Sequence, residues 1–582
     1  MTLESCPNEI LLESFEFLDT AELFHAFYGL NDRFNALLFT QYQSYHVNFY
    51  YIAKYQSNFP ALHYLPLITH QIVSLRLSDN NDEGLPQTDC FFSSGLLINR
   101  LIHLKSLSLC CIDDEASLHK FMHDCRHLAH LTHLKIVRCH TEYMSSVDFS
   151  NSLWGLAKLT HCCLDMQDEF RTPTIVSLSI EYLSISCRSW QLSQTTHLYQ
   201  QTPRLCHLHL PLNNLTDYFQ TTLPYFLSIS ILNLSNVRSS KAMNTVLLAV
   251  PNLTYLKIDM HHFNYDGYLW ESIIDKHLPK LEIFHLRMHI QLHCDRNDEQ
   301  SLQKLVHSFC TDFWLKKHQW YIRYHRGFNN DCKSILLYSV PYVFRDFNLN
   351  IFSATYKSTR PRDTNHCLYH RVNNLRYDSS LCQDQFYVQF FHLRSLSIHL
   401  PFDKHFENIV PTFYCLNSLT ILSTKENAQL YLQSLLDRAP CLHSLTVHSW
   451  PLLQIPVVEN TSASLRQLDL RLDGRGDNGS FFSEVECYRL IHSPLGISCE
   501  ELLIKVKSYE SILDLVNNMA NLRLLIVQYQ LRSTTFSAHE RYRRENDILI
   551  KWLRDQLPST STISKFSLVF NSLKLWICTK RP

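Results

Sequence analysis

Glycine is scarce in this chain: 10 of 582 residues. That scarcity argues against a doubly wound nucleotide-binding sheet, which needs glycine-rich turns at its phosphate loops. No apolar run approaches the length of a membrane-spanning helix. An excess of charge is also missing, since 53 Lys and Arg stand against 54 Asp and Glu, a formal net charge of −1. Such balance gives no electrostatic footprint for nucleic acid or an anionic membrane. The first residues include acids and lack an apolar h-region, so they do not read as a secretory signal. The 20 cysteines are scattered without a framework. They are expected to be reduced thiols in a cytoplasmic or nuclear setting. Nucleophile elbow, P-loop and H-E-x-x-H motifs are all missing.

What the chain has is a repeated apolar row. Its copies include Leu104-x-x-Leu107-x-Leu109, Leu131-x-x-Leu134-x-Ile136, Leu159-x-x-Cys162-x-Leu164, Ile180-x-x-Leu183-x-Ile185 and Leu205-x-x-Leu208-x-Leu210. Ile229-x-x-Leu232-x-Leu234, Leu253-x-x-Leu256-x-Ile258 and Leu281-x-x-Phe284-x-Leu286 follow, at steps of 21 to 28 residues between middle positions. The rows resume at Leu393, Leu416, Leu442, Leu465 and Leu522. In a strand, alternate residues face opposite sides. Leu107 and Leu109 therefore point inward and Ser108 outward. The equivalent outward positions are Lys135, Cys163, Ser184, His209, Asn233, Lys257, His285, Ser397, Thr420, Thr446 and Asp469. Nearly all are polar, which implies a sheet solvated on one face.

The period and the L-x-x-L-x-L spacing resemble a degenerate leucine-rich repeat. The Asn or Cys of that family, three positions after the last apolar residue, occurs at Asn80, Cys139 and Asn213. Each such repeat buries its leucines only by stacking on neighbours. The resemblance implies a solenoid with a parallel sheet on its concave face, a surface large enough to hold a folded protein. Lys135, His209, Asn233, Lys257 and His285 are the candidate substrate contacts on that face.

The opening segment Cys6-Pro7-Asn8-Glu9-Ile10-Leu11-Leu12-Glu13-Ser14-Phe15-Glu16-Phe17-Leu18 carries an apolar stripe at helical spacing. Pro7 suits a first helical position and Glu9 the first turn. Asp19 with Glu22 reads as a capping box for a second helix bearing Leu23, Phe24 and Phe27. Gly29 suits a left-handed stop, and Asn31 can cap a third helix with Phe34, Leu37 and Leu38. This segment resembles an F-box, matching at Pro7, Glu9, Ile10, Leu11, Phe15 and Leu18. Cys6 and Ser14 depart from that pattern, which usually has Leu and Ile there. The resemblance implies an α/β chain in three parts: an F-box over 1–45, the leucine-rich-repeat solenoid over 46–540 and a C-terminal cap over 541–582. It also implies a non-catalytic substrate receptor of a Skp–cullin–F-box ubiquitin ligase. Pro7, Ile10, Leu11, Phe15 and Leu18 would meet the Skp-type adaptor, while Leu23, Phe27 and Phe34 would hold the helices together and extend that surface. A ligase-independent interaction scaffold is the alternative.

Residues 300–390 break the rhythm. Trp314, Trp320, Tyr321, Tyr324, Tyr338, Tyr342, Phe344, Phe347 and Phe352 crowd there with Lys316, Lys317, Arg323 and Arg326. Longer repeats, an insertion on the concave face, a single-stranded nucleic-acid platform and plain strand core are the readings, the last being favoured. Residues 540–557 have the period of an amphipathic helix. A closing hairpin is expected around Asn571-Ser572. Gly474-Arg475-Gly476-Asp477-Asn478-Gly479 spells a dinucleotide motif, but Asp473 and Asp477 would sit beside the phosphates, so it reads as a loop. Cys125, His127, His130, His133, Cys139 and His140 follow the leucine spacing rather than a zinc spacing. No cofactor and no metal are expected.

Overall fold

The computed structural model describes residues 3–49, 64–79, 87–112, 114–139, 142–166, 169–187, 190–213, 223–261, 265–292, 298–329, 332–349, 352–361, 368–377, 388–403, 405–424, 427–450, 458–471, 481–529, 549–557, 562–567 and 572–577. The fold is mixed α/β and dominated by parallel sheet. The chain divides into two compact units: residues 1–289 with 304–318, and 290–303 with 319–582. The N-terminal helices and the strands that follow them fall in the same compact unit.

Three helices open the first unit: α1 (Asn8–Phe15), α2 (Thr20–Phe27) and α3 (Asp32–Ala36). Pro7 is the N-cap of α1 rather than its first helical residue, and its carbonyl accepts from Leu11. The Asp19–Glu22 capping box is formed in both directions at 2.9 and 3.0 Å. Asn31 caps α3 through the Phe34 amide, and Gly29 takes φ +77°, the left-handed conformation glycine adopts without Cβ strain. Phe15, Leu23, Phe34, Leu37 and Leu38 are buried at 0–1% exposure. Arg33 ties α3 to the chain start through Asn8 Oδ1 at 2.8 Å and the carbonyls of Glu4 and Cys6. Thr20 donates to the His46 carbonyl at 2.9 Å, which anchors α2 on the first strand.

Ten parallel strands follow in sequence order: β1 (Tyr45–Asn48), β2 (Ile72–Ser78), β3 (Ser106–Cys110), β4 (His133–Val137), β5 (His161–Asp165), β6 (Tyr182–Ser186), β7 (His207–Pro211), β8 (Ile231–Val237), β9 (Tyr255–His261) and β10 (Ile283–Leu292). This order never reverses, so the sheet lacks the switch point where doubly wound folds bind ligands. Row leucines lie in register: Leu107, Leu134, Cys162, Leu183, Leu208, Leu232, Leu256 and Phe284 are successive partners. All eight are at most 3% exposed. A carbonyl ladder joins the strand entries. Lys105 O accepts from the amides of both Thr132 and His133, Thr132 O from Thr160 and His161, and the pattern runs on through Thr160, Glu181, Cys206, Ser230 and Thr254. Cys139 acts as a peg between neighbours, because its Sγ accepts from the Ile112 amide at 3.3 Å. Asn213 reaches the Cys187 carbonyl, while Asn80 lies outside the described residues.

The second unit contains an antiparallel trio and a second row sheet. β11 (Tyr321–Asn329) pairs antiparallel with β12 (Cys332–Val340); after β13 (Asp346–Asn348), β14 (Phe352–Ser358) pairs antiparallel with the other edge of β11. These antiparallel pairs depart from the parallel order of the row strands. Arg323 is fully buried and donates to Tyr369 Oη at 2.6 Å, and Tyr324 and Tyr338 are at most 3% exposed, as strand core requires. From β13 the parallel order resumes through β15 (Asn374–Tyr377), β16 (Ser395–Leu400), β17 (Ser418–Thr424), β18 (Ser444–Val447), β19 (Gln467–Leu470), β20 (Glu501–Val506) and β21 (Leu524–Tyr529). One core runs under these strands, joining Leu396, Leu419, Leu445 and Leu468 to helix residues such as Leu432, Leu435, Leu490 and Leu515. The expected hairpin is present as β22 (Thr562–Ser567) and β23 (Ser572–Trp576), and β23 closes antiparallel on β21. The helix before it is described over 549–556; residues 540–548 and Asn571 lie outside the described residues.

Candidate interaction surface

The polar face of the first sheet follows from strand alternation. Its middle row holds Ser108, Lys135, Cys163, Ser184, His209, Asn233, Lys257 and His285, each opposite the next in register. Thus the five candidate contacts Lys135, His209, Asn233, Lys257 and His285 do share one face. Lys135 is exposed; the other four are half-buried. Ser184 departs from expectation: it is 7% exposed. Its hydroxyl lies 3.0 Å from His209 Nδ1, and His209 Nε2 lies 3.3 Å from Ser235 Oγ. Burial, then the charge of Lys257, holds the His209 imidazole below its ordinary range.

A second row, unnoticed in the sequence, lies beside it. His133, His161, Tyr182 and His207 are register partners. The rings of His133, His161 and Tyr182 stack at centroid distances of 4.2 and 5.4 Å, and His207 meets Tyr182 edge-on at 4.3 Å. The Asn233 amide lies 3.0 Å from His207 Nε2. Burial, then His209 and His161, pulls the His207 pKa down to about 4. Burial, then His161, also holds His133 below its usual range. The His133 and His207 imidazoles are therefore biased toward their neutral, hydrogen-bonding form. The sequence signal was present: each ring stands two positions before an outward residue of the middle row.

At the far edge of the same face, Asp259 and Arg287 are register partners, as are His261 and His289. Arg287 grips Asp259 with Nε on Oδ1 at 2.8 Å and Nη2 on Oδ2 at 2.7 Å. His261 Nε2 stands 3.4 Å from the same Oδ2. His261 and His289 stack at 4.6 Å with 3° between planes. Burial alone would raise the Asp259 pKa, but the Arg287 and His261 bonds and charges outweigh it and hold the carboxyl far below its ordinary value. Among the described residues, Asp259, His261 and His289 are the one such group whose ligand atoms all lie within 4.8 Å of one another. This cluster was missed because His289 stands 28 residues after His261 and meets it only through strand stacking.

The His/Cys stretch singled out in the sequence does not converge. Cys125 and Cys139 are buried, Cys125 with its thiol pushed up to about 12 by burial, then Asp124, whereas His127, His130 and His133 are exposed. His140 and Gly474–Gly479 lie outside the described residues.

On the helical trio the expected adaptor contacts divide. Pro7 is exposed, Ile10 is 50% exposed and Leu18 half-buried. Leu11, Phe15, Leu23 and Phe27 are 2%, 0%, 1% and 9% exposed. Those four are interior to the trio, as in the Phe15–Phe27 contact at 4.8 Å. Phe17, overlooked in the sequence, is 88% exposed, and Leu3 and Leu30 are 51% and 57% exposed. Ser14 is exposed and its hydroxyl donates to the Ile10 carbonyl at 2.7 Å.

Among the described residues no helix is long and apolar enough to cross a membrane. No protein-family model matches the chain, and no curated protein matches it.

Proposed function

We propose that this chain is the substrate-recognition subunit of a Skp–cullin–F-box type ubiquitin ligase, with the helical trio as its F-box and the row sheets as a leucine-rich-repeat solenoid. The observation that carries the reading is the apolar exterior of the trio. Ile10 at 50% and Phe17 at 88% exposure stand on a unit whose inner side chains are almost wholly enclosed. Apolar groups displayed from a well-packed frame suit a docking partner. Pro7, Ile10, Phe17 and the open flank of Leu18 would meet a Skp-type adaptor, and through it a cullin. The row residues Lys135, His209, Asn233, Lys257 and His285 would meet a protein substrate. The chain then works by proximity: it supplies no catalytic group, but raises the local concentration of a target lysine beside the charged ubiquitin enzyme.

Gel filtration of the full chain with a purified Skp-type adaptor tests this. Co-elution is expected, and Ile10→Asp with Phe17→Asp should abolish it while the circular dichroism spectrum is retained. No co-elution of the unaltered chain would overturn the reading. In that case the ligase-independent scaffold stands. Ser14 and Cys6 favour it, since both replace apolar area on the trio by polar or small groups.

A further inference from the structure

We infer that Asp259, His261 and His289 form a binding site for one divalent transition-metal ion of the zinc class on the polar face of the first sheet. The donor set is two imidazoles and one carboxylate, a combination suited to zinc, cobalt, nickel or copper and poorly suited to magnesium or calcium. The proposal is independent of the ligase reading.

The geometry is part-built. Tetrahedral ligands with bonds of roughly 2.0–2.1 Å stand about 3.4 Å apart. His261 Nε2 and Asp259 Oδ2 are already 3.4 Å apart. The third donor, on His289, completes a set whose atoms all fall within 4.8 Å. The two rings are stacked nearly parallel, so their lone pairs run side by side. Metal binding requires them to tilt about their side-chain torsions until both lone pairs converge. Both histidines are half-buried.

Arg287 does not block the site. An ionised carboxylate offers about four lone-pair positions, and the bidentate grip of Arg287 takes one on each oxygen. A remaining position on Oδ2 faces His261. Arg287 therefore acts as an outer-shell group that orients a ligating carboxylate, as hydrogen-bond donors behind metal ligands commonly do. Its charge cancels that of Asp259, so affinity depends on the imidazoles. That favours borderline ions over hard, oxygen-seeking ones. Three protein ligands leave a fourth position for water or for a donor from a bound partner.

The test uses the full chain, dialysed against chelator and titrated with Co2+ while visible absorption is recorded. One Co2+ per chain with a tetrahedral ligand-field band, displaced by Zn2+ and untouched by Mg2+, is expected. His261→Ala and His289→Ala should each weaken binding at least tenfold. His133→Ala, on an exposed histidine of the same face, should leave it unchanged. Zn2+ should also raise the melting temperature of the unaltered chain and of His133→Ala but not of His289→Ala. Circular dichroism checks each variant's fold, and His289→Asn replaces any alanine variant that unfolds. The assignment is overturned if the unaltered chain gives neither band nor thermal shift, or if the His261 and His289 variants bind as it does.

Discussion

Arg287→Met removes the partner of a carboxylate that has almost no access to water. The Asp259 and Arg287 side chains are 11% and 10% exposed, and the pair is bidentate at 2.8 and 2.7 Å. Stranding one member of such a pair costs roughly 3–5 kcal/mol. A ceiling on the charge part comes from protonation, since the carboxyl can escape its penalty by taking a proton. With an unfolded pKa of about 3.9, that escape costs about 4 kcal/mol at pH 7 and about 1.5 kcal/mol at pH 5. His261, 3.4 Å away, offsets part of the loss. A deficit of about 3 kcal/mol is therefore expected at pH 7.

The pH dependence has a definite sign. In the native chain Asp259 is depressed, so its stabilisation is complete above the unfolded pKa and lost only as pH falls from there toward the folded value. Between pH 7 and 5 the native chain keeps that contribution. In the variant burial outweighs the remaining His261 contact, so the carboxyl has a raised pKa and sheds its charge penalty as pH falls. Its deficit should thus shrink by at least half, to about 1.5 kcal/mol or less, at pH 5. Urea denaturation followed by tryptophan fluorescence at both pH values measures this, with Asp259→Leu/Arg287→Met as a companion expected to be less damaged than Arg287→Met alone. A deficit under about 1 kcal/mol at pH 7, or one that is equal at pH 5 and pH 7, would refute the reasoning.

Leu208→Ala, on the interior strand β7 at 1% exposure, should cost about 2–5 kcal/mol in the same assay, because flanking rows prevent the cavity from closing. The His207 imidazole should titrate near pH 4 by NMR. Its depressed pKa means the unfolded chain takes up protons first, so this residue withdraws stability as pH falls from about 6.5 toward 4; a titration midpoint above 6 would contradict the buried environment assigned to it. Asp19→Ala should cost about 1 kcal/mol by removing one arm of the capping box, seen as a lower melting temperature; no change would mean the box is not formed in solution.

The row pattern was readable because period and burial are tied together within a few residues. Leu107 and Leu109 had to face one way and Ser108 the other once a strand was inferred, and the caps at Asp19 and Asn31 are equally local. Three strands escaped because their rows use other residues. β1 is Tyr42-x-x-Tyr45-x-Val47, β13 is Phe344-x-x-Phe347-x-Leu349 and β20 is Cys499-x-x-Leu502-x-Ile504, all buried at 0–4% exposure. A pattern of apolar volume rather than of leucine would have found them. The stretch after residue 300 was opaque for a different reason: alternating aromatics suit parallel and antiparallel strands alike, and only pairing distinguishes the two.

By its order of residues alone, the chain determined that strands recur with one wet and one dry face, and that three short helices precede them. Both are consequences of short-range geometry and of the drive to bury apolar side chains. Which polar residues become neighbours was decided only in three dimensions. Lateral stacking sets Arg287 against Asp259 and His289 against His261, and it lines up the rings from His133 to His207. It was likewise packing of the trio that turned Leu11, Phe15, Leu23 and Phe27 inward and left Ile10 and Phe17 in water. A helix buries whichever flank its neighbours cover, and the position of those neighbours is written in no single segment.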